Sequence, residues 1–134
     1  MAAHRIYLHL TWATRDRRPM VDKPTQAFLV DYFKRIAIRT RAGLLALAVL
    51  QTHIHLLIRV RPTFDVSKLV QALKGGSSYL ASRQPGNRLG LRWTREYSVT
   101  SVSPKLLKQA LAYIAGQDQR HPRERVPHSH AKAL

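Results

Sequence analysis

The sequence predicts an α+β fold with a ferredoxin-like (RRM-like) split βαβ arrangement, in which an antiparallel sheet is followed by an added C-terminal helix. Two observations support this prediction. Strand-like apolar segments cover residues 4–13, 44–60 and 97–102, and helical apolar spacing covers residues 24–42 and 65–83. The resulting order β-α-β-β-α-β is that of the split βαβ fold, which hosts many functions and therefore does not decide this one.

The first half of the chain gives local support for each element. Residues 4–13 alternate between an apolar face and a face that carries His9. Residues 24–42 show an apolar stripe, and Gly43 is expected to cap the C-terminus of that helix. Residues 44–60 predict a hairpin of two apolar strands, although the first of them could also be a buried helix.

The next elements are predicted from residues that begin, weaken or end regular structure. Asp65 can cap a helix that runs to about residue 83, and Gly75 with Gly76 is expected to weaken or bend it. Residues 85–90 are predicted to form a loop that leads toward the strand at residues 97–102.

A final helix is predicted to close the domain. Ser103 suits its N-cap and Pro104 its first position. Residues 1–120 are expected to form the single domain, and residues 121–134 a frayed basic tail. The apolar stripe of the final helix would comprise Leu106, Leu107, Ala110, Leu111 and Ile114.

The most informative pair of side chains is His53 and His55. Strand side chains alternate faces, so both imidazoles are expected on one face of the sheet, where they could hold a divalent metal. The alternative is two partly exposed strand histidines without a ligand. His128 and His130 have the same spacing, but they lie in a polar segment without a strand pattern, and no role is expected for them.

Tyr113 and Gln117 supply a second chemical pair. They are four residues apart on the final helix and would therefore share a face one turn apart. A phenol can act as a nucleophile, and an amide oxygen can bind a hard metal. The alternative for Tyr113 is a helical tyrosine that rests its ring on the core. Tyr79 could contact DNA but has no comparable partner.

A strand with His-hydrophobe-His, followed by a helix with Tyr-x-x-x-Gln, resembles the single-tyrosine HUH transposases of insertion sequences, including the REP-associated tyrosine transposases. Residues 7–19, 67–75 and 97–102 resemble the opening strand with its basic turn, the middle helix and the last strand of that family. Many members have an acidic turn before the first histidine. This chain has Gln51 and Thr52 there, which removes a carboxylate from the neighbourhood of the metal.

The resemblance implies a transposase that cleaves and rejoins single-stranded DNA at hairpin-marked element ends. Tyr113 would be the nucleophile and would form a 5′-phosphotyrosine, while His53, His55 and Gln117 would bind Mg²⁺ or Mn²⁺. It further implies a homodimer with active sites completed in trans, and no nucleotide cofactor is expected. The basic residues expected to contact the hairpin are Arg15, Arg17, Arg18, Lys68 and Lys74.

Composition agrees with a nucleic-acid partner. The 134 residues include 23 Lys and Arg against 7 Asp and Glu, which gives a formal net charge of +16. The absence of cysteine excludes disulfides and thiolate chemistry. No apolar run approaches the length of about 20 residues that spans a bilayer. We therefore expect a cytoplasmic prokaryotic protein without membrane contact.

Two further hypotheses use the same residues differently. One is a non-catalytic, domesticated nucleic-acid-binding protein, which strong binding without metal dependence would favour. The other is an HUH nickase for replication or plasmid transfer, although such enzymes are larger. A two-histidine phosphoesterase is disfavoured because His9-Leu10-Thr11 has no second copy. An RNA-recognition module is disfavoured because the strand at residues 53–60 has no aromatic residue.

Overall fold

The structure is a computed structural model that describes residues 5–83 and 90–127, together with the backbone of residues 132–133. Most of the predicted loop at residues 85–90 lies outside the described residues, and so do His128 and His130. No helix in the described part of the chain is both long and apolar enough to cross a membrane.

A five-stranded antiparallel sheet forms the centre of the domain. Its strands are β1 (Ile6–Ala13), β2 (Gly43–Val49), β3 (His53–Val60), β4 (Ser98–Val102) and β5 (Lys132–Ala133). Their spatial order is β4-β1-β3-β2-β5. The first four strands have the order and connections of the split βαβ fold, so the predicted fold class is confirmed. The added strand β5 extends the sheet beside β2.

Among the described residues, four α-helices accompany the sheet: α1 (Lys23–Thr40), α2 (Val66–Ala81), α3 (Leu107–Ala115) and α4 (Gln117–Arg120). Asp22 caps α1 by accepting a hydrogen bond from the backbone amide of Thr25. Asp65 caps α2 in the same way, as predicted, with the amide of Lys68 as donor. Both helices therefore begin where a short acidic side chain satisfies a free backbone donor.

The C-terminal end of α1 differs from the prediction. Arg41, not Gly43, takes the left-handed conformation that ends the helix, with φ 62°. The backbone amide of Ala42 bonds the carbonyl of Ala37, and Ala42 is itself buried. The chain must therefore reverse before residue 42, which leaves Gly43 free to begin β2.

The two adjacent glycines of α2 do not break the helix, which is continuous from Val66 to Ala81. Their roles differ. A Cβ atom on Gly76 would lie 1.8 Å from the hydroxyl oxygen of Tyr32, whereas a Cβ on Gly75 would meet open space. The Tyr32 hydroxyl also donates to the carbonyl of Ala72. Gly76 therefore permits the close approach of α1 to α2.

The sheet separates two hydrophobic cores. The larger core lies between the sheet and helices α1 and α2, and includes Leu10, Trp12, Leu29, Phe33, Ile54, Leu56 and Leu69. The smaller core lies on the face that α3 covers, and its buried members are Tyr7, Ala46, Ala48, Leu50, Leu57 and Ile114. Trp12 is thus a core residue.

The apolar stripe of the final helix is correct except at its first residue. Leu107, Ala110 and Leu111 pack against the smaller core, and Ile114 is fully buried in it. Leu106 is half exposed because it ends a short 3₁₀ turn, Pro104–Leu106, that precedes α3 and does not share its helical phase.

Residues 121–127 are attached to the domain and are not frayed, so that prediction is wrong for them. The amide of Gln51 donates to the carbonyl of Glu124, and the Gln51 side chain donates to the carbonyl of Arg125, each at 2.7 Å. Val126 is fully buried in the larger core. A basic, proline-containing composition did not reveal this docking, because it depends on one apolar residue and on backbone bonds to a distant turn.

Candidate active site

The histidine pair lies on the face of the sheet that α3 covers. His53 and His55 are 5% and 7% exposed, and their ring centroids are 5.1 Å apart with the planes nearly perpendicular. Ile54 and Leu56 point to the other face and enter the larger core. The prediction that both imidazoles share one face is therefore confirmed, and both rings are buried.

Gln117 meets this pair from the other side of the site. The final helix ends at Ala115, and Gln117 begins α4, so the predicted single helix is divided at Gly116. Gln117 nevertheless stays close to Tyr113, because its side-chain nitrogen donates to the Tyr113 carbonyl at 3.2 Å. Gln117 is fully buried, and its side chain is close enough to His53 and His55 to influence the pKa of both.

Tyr113 lies at the rim of the same site. Its ring centroid is 5.8 Å from that of His55 and 6.0 Å from that of His9, and the residue is 38% exposed. The guanidinium of Arg120 lies 4.7 Å from the centre of the phenol ring, within the range of a cation–π contact. The tyrosine is therefore accessible to a ligand while it lies beside the histidines of its own chain.

The donor atoms around the histidines fit a divalent metal. His53 Nδ1 lies 3.0 Å from the Thr52 hydroxyl, and His55 Nδ1 lies 2.9 Å from His9 Nε2. Each ring thus has a partner on Nδ1, which leaves Nε2 as the nitrogen that could bind a metal ion. The buried Gln117 Oε1 accepts no hydrogen bond and is an orphaned acceptor at the same place.

If the histidine pair holds a cation, its third side-chain donor would be an amide rather than a further ionisable group. Within the described ranges, no group of three or more His, Cys, Asp or Glu side chains is arranged to hold a metal ion. Two imidazoles and the unpaired Gln117 oxygen are a mixed nitrogen and oxygen donor set that a divalent cation can use.

Burial keeps the two imidazoles neutral. It lowers the pKa of His55 to about 3, with smaller contributions from the neighbouring His53 and His9. Burial also lowers the pKa of His53, although the carboxylate of Glu124 opposes the shift. A neutral imidazole is the form that binds metal, so both rings are ready for a ligand at neutral pH.

Glu124 is a site residue that the sequence did not reveal. Its carboxylate accepts a short hydrogen bond from the Thr52 hydroxyl, lies 3.6 Å from His53 Nδ1 and pairs with Arg17 and His121 at 3.2 Å each. The turn before His53 lacks a carboxylate, as Gln51 and Thr52 indicated, but Glu124 brings one to His53 from a distant segment of the chain. No sequence pattern marked Glu124, which lies in the segment that was expected to fray.

His9 is a second residue that the sequence did not assign to the site. It lies on β1, next to β3 in the sheet, and its ring is 5.1 Å from that of His55. The predicted alternation had already placed His9 on the polar face of β1. That signal became informative only with the pairing of β1 and β3, which places the two histidines next to each other.

The five basic residues expected to contact DNA divide into two groups. Arg15, Arg18 and Lys68 are exposed. Arg17 forms an ion pair with Glu124, and the Lys74 ammonium donates to the carbonyl of Arg95 at 2.9 Å. Burial also lowers the pKa of Lys74. Arg17 and Lys74 therefore have roles within the fold whether or not they also contact a ligand.

The exposed basic residues lie in clefts with other arginines. Arg15 and Arg18 share one cleft with Arg92. Lys68 lines another, of about 380 Å³, together with Arg39 and Arg61. Arg92, Arg39 and Arg61 were visible in the sequence only as members of a generally basic composition, because their grouping depends on how distant segments meet.

Comparisons with known proteins agree with this architecture. The sequence model of a family described as "Transposase IS200 like" matches residues 2–117. A candidate transposase of known structure from Deinococcus radiodurans R1 is 27% identical, with a TM-score of 0.67 and coverage of 93% of this chain and 95% of the other. A REP-associated tyrosine transposase bound to a REP hairpin is 15% identical, with a TM-score of 0.72 and coverage of 90% and 71%. That second likeness shows the fold alone. No curated protein sequence matches the chain.

Proposed function

The chain belongs to the IS200-like family of single-tyrosine HUH transposases, and on this premise we propose that it cleaves and rejoins single-stranded DNA at hairpin-marked element ends. One observation carries the proposal. Tyr113, His53, His55 and Gln117 come from β3 and from the α3–α4 segment, and they converge on one site with a buried, unpaired acceptor oxygen.

Tyr113 is the proposed nucleophile. Its phenol oxygen attacks the phosphorus of the scissile phosphodiester, and the bond from phosphorus to the 3′-oxygen of the preceding nucleotide breaks. The products are a 5′-phosphotyrosine and a free 3′-hydroxyl. The 3′-hydroxyl of another strand reverses the step, and since the ester conserves the bond, no nucleotide cofactor is required. The phenol loses its proton as its oxygen bonds to phosphorus, and the departing 3′-oxygen takes up a proton to become the hydroxyl.

Three side chains are proposed to hold Mg²⁺ or Mn²⁺: His53, His55 and Gln117. The neutral imidazoles would bind through nitrogen and the orphaned Gln117 Oε1 through oxygen. When bound, the cation supplies positive charge that offsets the charge of the scissile phosphate and orients its phosphorus. Arg120, which lies over the phenol ring, contributes a further positive charge on the Tyr113 side of the site.

The net charge of +16 supports a DNA substrate, and the hairpin-bound relative supports a hairpin in particular. We propose that Arg15, Arg18 and Lys68 contact its phosphates, since all three are exposed. Arg17 and Lys74 remain part of the proposal, although both also have partners within the fold. A homodimer with active sites completed in trans is likewise proposed from the family; it requires the α3–α4 segment, which here lies beside the histidines of its own chain, to exchange between subunits.

Replacement of the phenol oxygen tests the mechanism. Labelled single-stranded hairpin DNA from the sequence that flanks the gene is incubated with the protein and Mg²⁺ or Mn²⁺, then separated by denaturing electrophoresis. We expect a metal-dependent band that contains protein and DNA. Tyr113→Phe should lose this band completely and still bind the hairpin.

Tyr79→Phe is the matched control. Tyr79 is 59% exposed on α2 and lies outside the site, so this variant should keep the covalent band. A covalent band that persists in Tyr113→Phe would contradict the assignment of the nucleophile. Tight hairpin binding without any covalent band in the wild type, with either metal, would favour the non-catalytic binding protein.

A further inference from the structure

A chain of two hydrogen bonds joins His53 to Glu124. His53 Nδ1 lies 3.0 Å from the hydroxyl oxygen of Thr52, and that hydroxyl donates to Oε1 of Glu124. Thr52 precedes His53 directly, whereas Glu124 is 72 residues away from Thr52 in the chain. The carboxylate is thus brought to the first histidine of the pair by the segment that follows α4.

The direction of these bonds determines where the proton of His53 lies. An ionised carboxylate only accepts hydrogen bonds, and a threonine hydroxyl has a single proton to donate. Since that proton goes to Glu124, the Thr52 oxygen can only accept from His53. His53 must therefore carry its proton on Nδ1, and the lone pair of Nε2 remains free.

We propose that Glu124, acting through Thr52, is a positioning residue that holds His53 in the Nδ1-protonated tautomer and so presents Nε2 to the divalent cation. The inference rests on the proposed function, because it takes His53 as a metal ligand. In metalloproteins, partners of this kind fix the orientation of a ligating histidine and raise its basicity.

The surroundings of Glu124 are built to hold this carboxylate in place. The backbone of Glu124 accepts a hydrogen bond from the amide of Gln51, and Val126 anchors the segment in the larger core. Arg17 and His121 contact its two carboxylate oxygens. Thr52 is fixed as well, since its carbonyl accepts from the backbone amide of Thr14 at 2.7 Å.

The test measures the tautomer and the metal affinity separately, on the full chain and without DNA. Long-range ¹H–¹⁵N NMR of the metal-free protein reports which ring nitrogen of His53 carries the proton. Titration calorimetry with Mn²⁺ reports affinity. Because a glutamine amide can donate to Thr52 and reverse the relay, Glu124→Gln is expected to reduce Nδ1 protonation and to weaken Mn²⁺ binding about 10–100-fold.

Two substitutions at Thr52 guard against a purely structural effect. Thr52→Val removes the hydroxyl while it preserves side-chain shape, and it should weaken Mn²⁺ binding in the same direction as Glu124→Gln. Thr52→Ser retains the hydroxyl and should restore both the tautomer and the affinity. Thermal unfolding of each variant shows whether it is folded. Arg39→Ala, in the cleft that Lys68 lines, is the control and should leave both Mn²⁺ affinity and the His53 tautomer unchanged.

The outcomes separate this inference from the function on which it rests. If the wild type binds Mn²⁺, and both Glu124→Gln and Thr52→Val bind it equally well with an unchanged His53 tautomer, the role of Glu124 is wrong and the metal site stands. If the wild type binds no Mn²⁺ at all, the metal site and the positioning role are both overturned, whereas the covalent assay with Tyr113 still tests the nucleophile.

Discussion

The two faces of the sheet differ in what they bury. The face covered by α1 and α2 buries a large continuous core in which Phe33 packs edge-on against Trp12. The face covered by α3 has a smaller core and also buries His53, His55 and Gln117. Apolar burial stabilises a fold in proportion to area, whereas buried polar groups cost free energy unless they have partners. The first face is therefore suited to stability and the second to chemistry.

Strand β3 shows this division within eight residues. Ile54, Leu56 and Ile58 enter the larger core, while His53 and His55 turn toward α3. The period of two in a strand is enough to separate the two tasks. The histidines are therefore positioned by a strand whose opposite side is packed into the larger core.

The largest expected effect is on the face of α1. Phe33→Ala should lower the free energy of unfolding by about 3–5 kcal/mol, because it empties a site that is 1% exposed. Leu111→Ala, on the half-buried face of α3, should cost clearly less. Urea unfolding of both variants measures the difference. Equal losses of unfolding free energy in the two variants would show that the face covered by α1 and α2 contributes no more to stability than the face covered by α3.

The two glycines of α2 test how closely α1 and α2 pack on the side of the larger core. Gly76→Ala should lower the free energy of unfolding by about 1–3 kcal/mol, because its methyl group collides with the Tyr32 hydroxyl. Gly75→Ala meets open space and should raise it by about 0.5–1 kcal/mol through helix propensity. The same urea measurement applies, and a stabilised Gly76→Ala variant would show that α1 and α2 are not tightly packed there.

Lowering the pH should reduce the free energy of unfolding mainly through the histidines on the face that α3 covers. The pKa of His55 falls from 6.5 to about 3 on folding, chiefly through burial, so the unfolded chain binds a proton in this pH range that the folded chain does not. The stabilisation is complete above pH 6.5 and is lost as the pH falls toward 3. From pH 7.5 to 5.5 the loss from His55 is on the order of 1 kcal/mol.

Urea unfolding in EDTA at the two pH values measures this loss. Burial also lowers the pKa values of His53 and His9, so these two residues add to the loss in the same direction. His55→Gln should show a smaller decrease than the wild type. An identical decrease in both proteins would place the acid sensitivity outside His55.

Much of the fold and part of the site were predictable from local patterns. Alternation and helical spacing identified the strands and helices, because each element must bury one face. The same rules placed His53 with His55, and Tyr113 one turn from Gln117. The ends of elements were less predictable. Arg41 ends α1 in place of Gly43, because the burial of Ala42 set the position of the reversal.

The sequence by itself determined which residues share a face, since strand and helix periods are local properties of the chain. Only the tertiary structure decided which faces meet. His9 lies 46 residues from its partner His55, and Glu124 lies 72 residues from Thr52. Such pairs depend on strand register and on the path of the C-terminal segment, and no local period encodes either. The imidazoles were therefore visible in the sequence, and the groups that orient them were not.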